Sequence, residues 1–135
     1  MSEGVPVRGC LLDTHTVLFT MFQSRSLSAA AKAAITAGPN FLSVVSYWEV
    51  VVKSMKGTLD VGDPRFWWQE ALEQLAATVL PLRPDHITAV YGLAPIHKDP
   101  FDRMLIAQAT VEGLALVTSD GEIARYAVKG LRVVG

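Results

Sequence analysis

One cysteine is all this chain has. Cys10 stands inside the strand-like run Gly9-Cys10-Leu11-Leu12, which excludes an internal disulfide and a multi-cysteine zinc site. It reads as core, because free cysteine is among the most buried residue types. Long apolar runs are missing too. No segment approaches the roughly 18 uninterrupted apolar residues that a membrane span needs, and Met1 to Arg8 has no apolar stretch of signal-peptide length. The expectation is a soluble, cytoplasmic protein with no membrane partner. Histidines number three, and no pair has metal-ligand spacing. Thirteen acidic and 12 basic residues leave a net charge of −1. That balance neither announces nor excludes a nucleic-acid partner, since phosphate affinity depends on local patches more than on the total.

What the chain does have is apolar residues, 50% of 135 positions, enough for one sizeable core. They fall in short continuous runs separated by segments of helical periodicity. Gly9 to Leu12, Phe41 to Val44, Thr78 to Leu82, Leu114 to Thr118 and Leu131 to Val134 read as strands. Helices are expected over Thr14 to Phe22, Leu27 to Thr36 (capped by Ser26 or Ser28), Ser46 to Met55 and Pro64 to about Ala77. Further helices are expected from Pro84 to about Leu93, Phe101 to Glu112 and Gly121 to Ala127. Short apolar strands alternating with helices imply a mostly parallel sheet covered on both faces, a three-layer α/β/α fold. No repeat or linker divides the chain, so residues 1–135 read as one domain with residues 1–8 as a flexible leader.

Acids are scarce, yet four of them sit at the ends of apolar runs: Asp13, Glu49, Asp102 and Asp120. In a parallel sheet the functional crevice lies outside the carboxyl ends of the strands, at the switch in strand order. Asp13 and Asp120 each follow a strand, so both enter that crevice if the first and fourth strands are neighbours. Glu49 near the start of one helix and Asp102 in the first turn of another can join them. At about 5 Å and an effective dielectric near 20, each pair of carboxylates repels by roughly 3 kcal/mol, against a total stability of about 5–15 kcal/mol. Protonation is one relief. A hard divalent cation is a better one, because carboxylate oxygens suit Mg²⁺ or Mn²⁺. Such an ion binds a phosphate oxygen and activates water, so the implied chemistry is metal-dependent cleavage of a phosphate ester.

The set of motifs carries a resemblance. Leu11-Leu12-Asp13-Thr14-His15, Ser43-Val44-Val45-Ser46-Tyr47-Trp48-Glu49 with Lys53 one turn on, His97-Lys98-Asp99-Pro100-Phe101-Asp102-Arg103 through Ala109, and Leu116-Val117-Thr118-Ser119-Asp120 together resemble a PIN-domain protein. More narrowly they resemble the VapC toxins of type II toxin–antitoxin systems, from Gly9 onward and in the family's order. The resemblance implies a Mg²⁺-dependent endoribonuclease (Mn²⁺ as the alternative ion) that works as a homodimer and is held inactive by a cognate antitoxin. It also implies roles: Asp13 and Asp102 as principal metal ligands, Glu49 as a ligand or positioner of the attacking water, Asp120 as an outer or second-metal carboxylate. Thr118 and Ser119 would hydrogen-bond that last acid. Phe19 stands where relatives often carry Trp, and the leader is longer than in many.

Simpler readings stay open at each position. Asp13 and Asp102 could cap helices, with Asp99 competing for the second cap; Glu49 could pair with Lys53 at i, i+4; Asp120 could begin a turn. His15, His86 and His97 read as surface or packing residues. Arg103 is open between a phosphate or antitoxin contact and a structural salt bridge. Among Phe66, Trp67 and Trp68, at least one belongs to the core. Their exposed members, with Met55 and Leu59, could receive an apolar antitoxin helix. Rival functions are a PIN-fold nuclease outside a toxin–antitoxin system and a non-catalytic interaction module of the same fold. A haloacid-dehalogenase-like phosphatase would need a second Asp where His15 stands.

Overall fold

The computed structural model describes residues 7–135. Its elements are β1 (Cys10–Leu12), α1 (Thr14–Phe22), α2 (Ala29–Ala37), β2 (Asn40–Ser43), α3 (Val44–Met55), α4 (Pro64–Gln74) and β3 (Ala77–Leu80). There follow α5 (Pro84–Tyr91), α6 (Pro100–Glu112), β4 (Ala115–Val117), α7 (Gly121–Ala124) and β5 (Val133–Val134). All four strand pairings are parallel, in the order β3-β2-β1-β4-β5. Alternation along a strand sends neighbours to opposite faces. Cys10 and Leu12 of β1 therefore enter one core with Val17, Leu42, Val50, Trp67 and Trp68, while Leu11 enters the other with Leu105, Ile106, Leu116, Ile123 and Tyr126. The two cores are the two seams of an α/β/α sandwich.

Side-chain caps explain where the elements start. Ser28 accepts from Ala31 N, so α2 begins at Ala29 and not at the expected Leu27. Ser43 accepts from Val45 N, which turns Val44 and Val45 from expected strand and loop into the first turn of α3. Glu49 accordingly lies in the middle of that helix rather than near its start. Asp99 accepts from both Phe101 N and Asp102 N and takes the cap of α6, which leaves the Asp102 carboxylate free of that duty. Gly113, at φ 70°, closes the same helix in the left-handed conformation that glycine tolerates best. The last helix is shorter than expected, ending at Ala124 before a 3₁₀ turn over Arg125–Lys129.

Of the expected leader, residues 1–6 lie outside the described residues. Arg8 is anchored: its N–H donates to Gly113 O at 2.9 Å and its guanidinium meets Glu112 at 3.3 Å. Cys10 is free and buried, as expected. No described helix is long and apolar enough to cross a membrane.

Candidate metal-binding active site

Strands β1 and β4 are hydrogen-bonded neighbours with β2 beyond β1, so strand order switches direction beside them. Asp13 directly follows β1 and Asp120 follows β4 by three residues, which brings both to that switch point. Asp13 is buried and fully engaged: Thr16 N donates to Oδ1 at 2.8 Å, and the Thr118 hydroxyl donates to Oδ2. Thr118 thus serves Asp13 and not, as expected, the carboxylate of Asp120; the Asp120 backbone N–H donates to the threonine oxygen at 3.0 Å. Glu49 is buried as well, receiving the Thr14 hydroxyl at 2.7 Å and the Lys53 ammonium at 2.7 Å. That i, i+4 pairing holds the lysine's pKa above its ordinary value, chiefly through the Glu49 hydrogen bond, with Asp99 and Asp102 adding to it against burial.

Asp102 is the group left over. Among the described residues it accepts no hydrogen bond beyond a 3.2 Å approach by His97 Nε2. Burial, then the charges of Asp99 and Glu49, push its pKa up to about 7; His97 pulls the other way and Asp13 adds to the rise. Asp13, Glu49 and Asp99 therefore lie close enough for their charges to act on Asp102. Asp120 shows the opposite balance. Burial works against its ionisation, but the His97 hydrogen bond and the Glu122 N–H hold its pKa below the usual carboxylate value.

His97 corrects the sequence reading, which placed it at the surface. Its Nε2 lies 2.9 Å from Asp120 Oδ2 and 3.2 Å from Asp102 Oδ2. One donor atom each from His97, Asp102 and Asp120 fall within 4.8 Å of one another. Burial opposes the imidazolium, yet these carboxylates outweigh it and raise the pKa. Asp99 N donates to Nδ1 at 3.1 Å, a contact that favours the neutral ring carrying its proton on Nε2. The ring position comes from a pinned loop. Tyr126 Oη accepts from Ile96 N and His97 N at 3.2 and 3.0 Å, and donates to Ala94 O at 2.6 Å.

Arg103 completes the same pin. Its guanidinium binds the carbonyls of Ala94 and His97 at 3.1 Å and that of Val90 at 3.4 Å. Among the described residues it makes no salt bridge, one of the two contacts expected for it. It is a carbonyl clamp on the loop that carries His97. His86 is likewise no surface residue: it is fully buried, accepting from Arg83 N at 3.0 Å and facing Glu112 at 2.8 Å. Asp99 caps α6 and orients His97, so it acts beside the cluster. The signal that could have found His97 was its place two residues before a capping Asp-Pro, which fixes the approach to α6. Trp67 and Trp68 are both core, 2% and 6% exposed, whereas Phe66 is 74% exposed.

The donor set fits a hard divalent ion. Asp102 and Asp120 bring carboxylate oxygens, and His97 an imidazole nitrogen, within 4.8 Å of one another, a group that does not include Asp13 or Glu49, although the charges of both act on Asp102. Such an oxygen-rich set suits Mg²⁺ or Mn²⁺.

A parallel sheet collecting buried acids at its switch point defines the class. The model of the PIN domain matches residues 10–129, and the chain belongs to that family. No curated protein sequence matches it significantly. Solved structures with a similar fold include VapBC from Salmonella typhimurium bound to DNA, at 17% identity, TM-score 0.67, over 93% of this chain and 96% of that one. A toxin–antitoxin complex from Klebsiella pneumoniae aligns at 24% identity and TM-score 0.59, over 94% and 97%. FitAcB from Neisseria gonorrhoeae aligns at 19% and 0.60, over 93% and 96%.

Proposed function

We propose that this chain is a VapC-type toxin, a Mg²⁺- or Mn²⁺-dependent endoribonuclease of the cytoplasm that acts as a homodimer and is neutralised by a cognate antitoxin. The observation that carries the catalytic part is the gathering of Asp102, Asp120 and His97 ligand atoms within 4.8 Å of one another, with Glu49 and Asp13 close enough for their charges to act on Asp102. An interaction module gains nothing from such a group, which costs folding free energy and has only partial relief from Lys53 and His97. The toxin part is supported by the similar folds, which come from toxin–antitoxin complexes.

Asp13, Asp102 and Glu49 would hold the ion, with Asp120 beside them. When bound, the ion supplies charge neutralisation on the phosphate and a lowered pKa for attacking water. The protein's own contribution is preorganisation. Thr16 N and Thr118 fix Asp13, Thr14 and Lys53 fix Glu49, and the Arg103–Tyr126 clamp fixes His97 against Asp102 and Asp120.

Protein freed of any partner and supplied with Mg²⁺ or Mn²⁺ should cut RNA. Asp13→Asn or Asp102→Asn should stop cleavage while the fold persists. A broad RNA panel left intact by the wild type, or cut equally by the Asn variants, would end the nuclease reading. Cleavage that a cognate antitoxin fails to inhibit would leave a PIN-fold nuclease outside a toxin–antitoxin system.

A further inference from the structure

We propose that Trp48 and Phe101 form a stacking platform for a base of single-stranded RNA at the rim of the acidic crevice, an inference that rests on the ribonuclease reading. The chain has three tryptophans, and their burial divides them sharply. Trp67 and Trp68 are core, while Trp48 is 59% exposed on the middle of α3. An indole left in water forgoes roughly 1.5–3 kcal/mol of burial, so its position needs a reason.

That position is specific. Trp48 immediately precedes Glu49 and Phe101 immediately precedes Asp102, so each ring shares a helical turn with an acid of the crevice. The two rings meet across the α3–α6 seam at 5.0 Å between centroids and 74° between planes. In this edge-to-face arrangement the half-buried Phe101 sets the orientation of the indole, which keeps most of its surface in solvent. The neighbouring cations are suited to a nucleic-acid backbone. Lys53, one turn after Glu49 and bound to it at 2.7 Å, keeps its side chain 36% exposed, and exposed Lys98 lies in the loop leading into α6.

A rim that combines an exposed aromatic face with lysines matches the chemistry by which proteins hold single strands without reading their sequence: bases stack on rings while cations track the phosphates. Stacking at Trp48 would hold the nucleotide beside the phosphate that enters the acids. It would act in binding and not in bond breaking. Met55 is also exposed on α3, two turns further along. An apolar protein partner covering that helix is therefore the rival occupant that the test must separate.

Trp48 is its own probe, because acrylamide reaches an exposed indole and leaves the two buried ones largely untouched. In the Asp102→Asn variant with Mg²⁺, which removes both turnover and one repelling charge, a single-stranded oligoribonucleotide of roughly ten nucleotides should quench the Trp48 emission and shield it from acrylamide. In cleavage by the otherwise wild-type protein, Trp48→Leu should raise KM about 5- to 150-fold, the equivalent of one base stack, with kcat little changed. Trp48→Phe should recover most of that loss, and Phe66→Leu, an exposed aromatic on α4, should change nothing. Unchanged KM in Trp48→Leu while the wild type cuts RNA overturns the platform and leaves the nuclease reading intact. Shielding of Trp48 that grows with protein concentration without RNA overturns it in favour of a protein interface. If the wild type neither binds nor cuts RNA, both readings fall.

Discussion

Helix α6 carries an acid near each end, and the two ends behave in opposite ways. The helix field favours an anion at the N-terminal turn and disfavours one at the C-terminus. Yet it is Asp102, in the first turn, whose pKa rises to about 7, and Glu112, the last residue, whose pKa falls. Partners explain the reversal. Glu112 meets His86 at 2.8 Å, Arg83 at 2.6 Å and Arg8 at 3.3 Å, and the His86 hydrogen bond is the leading cause of its fall, against some burial. Asp102 is half-buried near Asp99, Glu49 and Asp13, with His97 at 3.2 Å and Lys53 beyond it to offset them. A carboxylate matched by Arg8, Arg83 and His86 at a poor helix position is structural, whereas one crowded by other acids at a good position is the candidate for chemistry.

The sharpest way to break this comparison is to neutralise each acid in turn. Asp102→Asn should lower RNA cleavage by at least about a thousandfold, since a group acting with the rest of a site is lost nearly whole, while Glu112→Gln leaves turnover close to wild type. Equal losses in a single-turnover assay would erase the distinction. Stability should respond in the reverse sense. Glu112→Gln strands two arginines and a buried histidine and should cost about 1–3 kcal/mol in urea unfolding. Asp102→Asn should stabilise the metal-free protein at pH 7 by on the order of 1–3 kcal/mol, after discounting for partial exposure.

The pH dependence sharpens the same contrast. Asp102 titrates higher when folded than unfolded, so its protonated form favours the native state, and metal-free stability should fall as pH rises from about 4 through 7. Glu112 titrates lower when folded, so its contribution is present above about pH 4 and fades as pH falls through its depressed value. Chemical denaturation across pH should show Asp102→Asn flattening the neutral limb and Glu112→Gln flattening the acid limb. Saturating Mn²⁺ should oppose the neutral-limb loss in the wild type and much less in Asp102→Asn. The smallest effect belongs to the helix stop next to Glu112. Gly113→Ala meets nothing within 4 Å, so only its positive φ is strained, and the cost should be about 1 kcal/mol. A larger loss would mean that the anchoring of Arg8 on Gly113 O had also gone.

Much of this was legible in the linear chain. Parallel α/β architecture followed from the short apolar runs, and Asp102 and Asp120, which the structure gathers with His97, were named from their places beside those runs. The misreadings have one cause. His86 and His97 were judged by residue type, for which the surface is the usual place, but each has its ring satisfied by an acid distant in sequence: Glu112 for His86 and Asp120 for His97. Burial of a polar side chain depends on such partners, and no local pattern reveals them. Thr118 was likewise assigned to the nearer acid, while the sheet brings Asp13 against it through the β1–β4 pairing.

By itself, then, the sequence determined which residues are strands, which are helices and where carboxylates interrupt them, because periodicity, caps and turn residues act over a few positions. Only the tertiary structure decided which of those carboxylates are matched. Strand order β3-β2-β1-β4-β5 brings the ends of β1 and β4 side by side, and the packing of α6 sets Asp102 against His97 and Asp120. Electrostatic energy depends on distance and burial in space, which is why two acids ten residues apart on one helix differ so completely.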